Sequence, residues 1–116
     1  MVDDVLNLSG FDGDYKTRGE DITAGKVTMP LAIAMRLLSR AERHWLWSTL
    51  GSRCTDRDTI ASVIALLEDC GAIAECRREA TQLVEGGWQE LSPVLPDSQA
   101  KLMLRAFSWF VLERHY

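Results

Sequence analysis

The residues best suited to chemistry in this chain stand near its start. Asp3, Asp4 and Asn7 fall within the first seven residues, MVDDVLN. On a helix Asp3 and Asn7, four apart, share one face, and Asp4 flanks them. Val2, Val5, Leu6 and Leu8 supply apolar contacts, so residues 1–8 read as the last turns of a helix. Carboxylates at a helix C-terminus oppose the macrodipole. A divalent cation would offset that, and Mg²⁺ takes oxygen ligands, often one or two carboxylates completed by water and phosphate oxygens. Lys16, Arg18 and Lys26 follow on a glycine-punctuated stretch, SGFDGDYKTRGEDITAGKVT. Lysine acts there as a mobile point charge, which suits an anionic, metal-chelated ligand such as a diphosphate. The same residue types also fit a solvated acidic pair beside an ordinary surface loop.

The elements that must position these groups read as helices. Apart from Asp12-Gly13, which no alternating pattern follows, there is no hairpin signal. Thr28 can cap a helix that carries Pro30 in its first turn and runs to about Leu38. Ser39 caps a second, ended by Gly51. Thr55-Asp56-Arg57-Asp58 resembles a capping box, with Ile60, Val63, Ile64 and Leu67 on one face of the helix behind it and Gly71 at its end. Ile73, Cys76, Ala80, Leu83, Val84, Trp88 and Leu91 form the apolar stripe of the next helix. Pro93 and Pro96 break the chain, and Asp97 or Ser98 caps a last helix. There Leu102, Met103, Ala106, Phe107, Phe110 and Val111 are expected to pack deeply. The expected fold is all-α, roughly five to six helices in a single domain spanning 1–116, with 29–116 as packing helices.

Length and composition agree with one modest core: 116 residues, 47% hydrophobic, net charge −4. The acidic balance, without a long basic cluster, argues against nucleic-acid binding. No apolar run is long enough for a transmembrane segment, and no signal peptide is visible. Cys54, Cys70 and Cys76 have no metal-site spacing and read as reduced thiols of a cytoplasmic protein. Trp45, Trp47, Trp88 and Trp109 read as packing aromatics. His44 and His115 lack partners at ligand spacing, and Arg77, Arg78, Glu75 and Glu79 read as a solvated face.

The order DDVLN, GFDGDYKTRGED, ITAGKVTMPLAIAM closely resembles the trans-isoprenyl (polyprenyl) diphosphate synthase family. The likeness is to its second aspartate-rich motif, usually DDxxD, and the loop and helix behind it. Lys16, Gly19, Asp21, Lys26, Thr28 and Pro30 match the family's habitual run. The likeness is dense over residues 2–35 and looser beyond, although the ending FVLERHY, with Arg114, also resembles the family's C-terminus.

The resemblance implies the isoprenoid synthase fold and a Mg²⁺-dependent prenyltransferase condensing an allylic diphosphate with isopentenyl diphosphate. Asp3 would be the main metal ligand, with Asp4 adding charge and hydrogen bonds. Lys16 and Lys26 would contact the allylic diphosphate, and Asp21 would sit in the outer metal shell. Asn7 departs from the usual third aspartate, which puts direct ligation there in doubt. The first aspartate-rich motif and the basic set that holds isopentenyl diphosphate are absent from these residues. The chain alone is therefore expected to be inactive. It would be a fragment of a full synthase, a partner subunit in a homo- or hetero-oligomer, or a helical interaction module. A fragment would expose an apolar face where the missing helices pack.

Overall fold

In the computed structural model, residues 1–9 and 18–113 are described. They form seven α-helices and one 3₁₀ turn: α1 (Val2–Ser9), α2 (Glu20–Thr23), α3 (Met29–Leu37), α4 (Arg40–Gly51), α5 (Arg57–Asp69), α6 (Ala72–Leu91), the turn Ser92–Val94, and α7 (Gln99–Leu112). The all-α expectation holds, with more helices than the five to six anticipated, because the glycine-rich stretch contains the short α2.

α6 is the central helix, with α3 packed along it and α1, α5 and α7 alongside. The core joins Val5 and Leu8 of α1 to Leu31, Ile33 and Ala34 of α3. Ile22 of α2, Leu38 after α3, Leu46 and Leu50 of α4, Val63, Ile64 and Leu67 of α5, and Ala72, Ile73 and Cys76 of α6 complete it. Three of these contributions follow the spacing in the sequence, with apolar residues recurring at helical intervals on one face.

Helix ends were mostly legible. Ser39 caps α4 in a reciprocal box with Glu42. Gly71 takes φ 78°, the left-handed conformation that glycine adopts without penalty, between α5 and α6. Three local readings need correction. Asp56, not Thr55, caps α5, accepting from the Thr59 amide at 2.9 Å. Gly51 is the last residue of α4 rather than its terminator, and Arg53 takes the left-handed turn at φ 49°. Thr28 stands at the N-cap of α3 with extended backbone, but its side chain makes no capping bond and its Oγ1 is buried without a partner.

The larger correction concerns the C-terminal third. α7 contains no buried residue, and Leu102 is 73% and Phe107 62% exposed, with Met103 and Phe110 also exposed. The stripe on α6 is buried only through Ala80; Leu83 and Leu91 lie open. Trp45, Trp47 and Trp109 are exposed as well. The periodicity correctly marked apolar faces, but among the described residues the distal half of α6 and α7 pack on each other with no further helix over their outer faces. The radius of gyration is accordingly 17.0 Å, against about 13 Å for a compact chain of this length.

α7 is held mainly by polar and aromatic contacts. Arg105 lies over the rings of Trp88 (5.1 Å) and Trp109 (5.4 Å), and its Nη2 donates to both oxygens of Glu85. The planar guanidinium can stack and donate at once. Lys101 adds bonds to Asp97 and the Leu95 carbonyl.

Candidate functional site

α1 spans Val2–Ser9 and carries Asp3, Asp4 and Asn7.

Their neighbours explain the motif in another way. Asp4 Oδ2 accepts from the Met29 amide at 3.2 Å, satisfying an orphan donor at the start of α3 that Thr28 leaves unbonded. Its other contact is the N-terminal ammonium, 3.4 Å away. Asn7 works in parallel on α2. Its Oδ1 accepts from the Asp21 amide at 3.3 Å, and its backbone carbonyl accepts from the Gly19 amide at 3.0 Å. Gly19 at the N-cap of α2 has no side chain, so the cap comes from α1. Two of the three motif residues thus fasten the following segment to α1.

Gly19 also has a steric reason. Its φ is 81°, and a Cβ there would lie 2.5 Å from Ile60 Cγ2. Any side chain there would force Ile60 of α5 to shift. Arg18, read from sequence as a candidate anion ligand, is committed elsewhere. Its Nε donates to the Leu8 carbonyl at 2.6 Å, at the C-terminal end of α1, and its Nη2 reaches Glu68 at 3.3 Å. Lys16 and Arg114 lie outside the described residues.

Asp3, Asp21 and Lys26 are the remaining residues of the motif and its following segment. Asp3 is exposed. Lys26 Nζ stands 2.6 Å from Asp21 Oδ1, the lysine side chain 65% and the aspartate 16% exposed. The bond and charge of Asp21, with smaller contributions from Glu20 and Asp3, raise the Lys26 pKa above its ordinary value. Sequence reasoning picked these residues but missed the Asp21–Lys26 bond. Their spacing of five, across the turn after α2, is the signal that could have found it.

This donor set can serve an open, partly hydrated cation better than a closed cage. No three His, Cys, Asp or Glu side chains among the described residues converge on one point. Mg²⁺ commonly keeps waters and takes one or two carboxylates with phosphate oxygens, a demand an exposed Asp3 fits.

Comparison with known proteins bears on the whole chain. It is 29% identical over 116 residues to the all-trans-nonaprenyl-diphosphate synthase (geranyl-diphosphate specific) of Rhodobacter capsulatus, covering 98% of this chain and 34% of the relative. It is 34% identical over 115 residues to the short chain isoprenyl diphosphate synthase of Methanothermobacter thermautotrophicus, again 98% of this chain and 34% of the relative. A geranylfarnesyl diphosphate synthase of Natronomonas pharaonis is 30% identical over 117 residues, covering 100% of this chain and 32% of the relative. The chain spans about a third of the length of these curated relatives. No family model and no solved structure matches. Alignment along nearly the whole chain with several such synthases, together with an all-helical structure, establishes that the chain belongs to the trans-isoprenyl diphosphate synthase family.

Proposed function

We propose that the chain supplies the diphosphate-binding, second-motif side of a Mg²⁺-dependent polyprenyl diphosphate synthase, which condenses an allylic diphosphate with isopentenyl diphosphate. The observation that carries this is the 2.6 Å bond that holds the exposed Lys26 ammonium on Asp21, in the segment that follows the Asp3-Asp4 pair. Lys26 holds a diphosphate oxygen as an exposed point charge. Asp21 keeps that ammonium aimed, and Lys16 adds a second cation from the same stretch. Asp3 offers the carboxylate that would hold Mg²⁺, with Asp4 and Asn7 keeping its helix in register. When bound, Mg²⁺ would neutralise charge building on the departing diphosphate.

Ionisation of an allylic diphosphate needs positive charge fixed in advance around the leaving group. A held Lys26 meets that demand, because its orientation is set before substrate arrives. Carboxylates from another polypeptide segment would complete the metal site, so we propose that this chain alone is inactive. It would act as part of a longer synthase or with a partner chain in a homo- or hetero-oligomer, in the cytoplasm. The exposed apolar faces of α6 and α7 favour that reading, since they offer a surface for further helices. They equally support the second reading, a non-catalytic helical partner derived from this family.

Calorimetric titration of Mg²⁺ with a prenyl diphosphate, in a reconstituted complex or complete synthase carrying these residues, tests the proposal. Asp3→Ala should remove metal-dependent binding and turnover. If both persist, the assignment of Asp3 is wrong.

A further inference from the structure

A second surface lies on the outer face of α4. Residues 36–53 carry four arginines (Arg36, Arg40, Arg43, Arg53) and one glutamate, in a chain whose net charge is −4. Arg40, Arg43, His44 and Trp47 stand at i, i+3, i+4 and i+7 of α4, so they form one stripe. All four are exposed, Trp47 by 61%, while the opposite face buries Leu46, Thr49 and Leu50. The four side chains line one shallow concavity with Met35 and Ala41. Among the described residues neither Arg40 nor Arg43 belongs to an ion pair; Glu42, the acid between them, is turned back onto the Ser39 amide. Leu37, at the end of α3, adds an exposed apolar side chain beside the stripe.

We propose that this stripe docks the protein on an anionic lipid surface. Guanidinium groups and an exposed indole on one side of an otherwise anchored helix are the composition that seats in the headgroup layer. There arginine meets phosphate while tryptophan spans the boundary between water and acyl chain. The charge is complementary to an acidic bilayer and concentrated against the sign of the whole molecule. No described helix is long and apolar enough to cross a membrane, so the contact is a surface one. The inference is independent of the diphosphate site, which uses other residues.

Sedimentation of the intact chain with phosphatidylcholine vesicles, with and without phosphatidylserine, tests it. We expect binding only to the phosphatidylserine vesicles, lost in high salt, with a blue shift of tryptophan emission that Trp47→Phe removes. Arg40→Gln with Arg43→Gln should weaken partitioning about 25-fold, at about fivefold per cation. Arg40→Lys with Arg43→Lys should retain it. The control pair Arg57→Gln with Arg78→Gln, which removes the same charge elsewhere, should change it by less than about twofold. Equal binding to neutral vesicles would assign the attraction to the open apolar faces of α6 and α7 and overturn the proposal. Equal loss in the control pair, or no vesicle binding with capture of acidic proteins instead, would overturn it too.

Discussion

The Asp4 carboxylate of α1 accepts the Met29 amide of α3 across 25 residues of sequence, at 3.2 Å. A helix cap is usually local, supplied by the residue before the first turn. Here it comes from another helix, so it fixes the relative placement of α1 and α3 as well as the end of α3. Asn7 does the same for α2. Asp4→Ala and Asn7→Ala should each lower stability by about 1–2 kcal/mol, the usual loss for a removed cap. Asn7→Asp keeps the acceptor and should be close to neutral. Urea unfolding of the three variants checks the order; a loss in Asn7→Asp equal to that in Asn7→Ala would contradict the cap.

Gly19 permits a second test because two separate effects meet there. Its φ of 81° disfavours any side chain, and its missing Cβ leaves space that Ile60 Cγ2 occupies. Gly19→Ala should destabilise by about 1–3 kcal/mol from backbone strain together with the clash. Ile60→Ala in the Gly19→Ala background should relieve the clash but not the strain. A double-mutant cycle should therefore show favourable coupling, and additive losses would mean that the contact is unimportant.

The same residues show how far the sequence could be read. The helix-forming runs, the Ser39 cap and the Gly71 break follow from local chemistry, and local chemistry is written in neighbouring residues. The Asp4 and Asn7 caps join residues far apart, and no spacing rule connects Asn7 to Asp21. Their side chains looked like ligand density because an acceptor for a distant amide and an acceptor for a cation have the same composition. The apolar stripe of α7 fails as a burial signal for a different reason. Periodicity identifies a face able to pack, but whether another element reaches that face is a property of the assembly. Asp3 and Lys26 stand out by residue type and Asp21 through family likeness; the bond that joins Asp21 to Lys26 depends on the turn after α2, which no residue type specifies.

Arg105 of α7 lies over the ring of Trp88 on α6 while bonded to Glu85 of the same helix, and so fastens α7 to α6. Because α7 buries no residue fully, this contact should dominate its local stability. Arg105→Lys retains charge but loses the planar stack and should speed amide exchange in α7 while leaving α3 and α5 protected. Arg105→Ala should extend the effect, with a loss of about 1–2 kcal/mol and a change in tryptophan emission. If α7 exchange is unaltered in both variants, the apolar contacts of Leu104 and Val111 with α6 hold the helix instead.

Two caps give the acid limb of stability a defined direction. Bonds from Ser39 hold Glu42 below the ordinary 4.5, and bonds from Thr59 hold Asp56 below the ordinary 3.8. Both groups bind protons more readily in the unfolded chain. Their contribution is present above those ordinary values and is lost as pH falls through the lower folded ones. Carboxyl NMR titration should place Glu42 below 4.5 in the native chain and nearer to it in Ser39→Ala. An unchanged midpoint in Ser39→Ala would show that the capping box does not stabilise the ionised Glu42.

Lys26 titrates with the opposite sign. The Asp21 hydrogen bond is the largest cause of its raised pKa, followed by the charges of Asp21, Glu20 and Asp3. Its contribution to stability is complete below the ordinary 10.5 and is lost as pH rises through the higher folded value. The Lys26 ammonium resonance should therefore titrate lower in Asp21→Asn than in the native chain. Glu20→Gln should produce a smaller fall and Asp3→Asn the smallest. In a complete synthase Lys26→Ala should weaken diphosphate binding roughly tenfold, the size expected for a charge-assisted bond. Asp21→Asn tests whether holding the lysine matters as well as its charge, since it leaves Lys26 cationic at neutral pH but free to swing. Reduced turnover with little change in diphosphate affinity would identify Asp21 as a positioning residue. Turnover unchanged in Asp21→Asn would reduce the Asp21–Lys26 pair to a surface ion pair and leave Asp3 as the surviving element of the site.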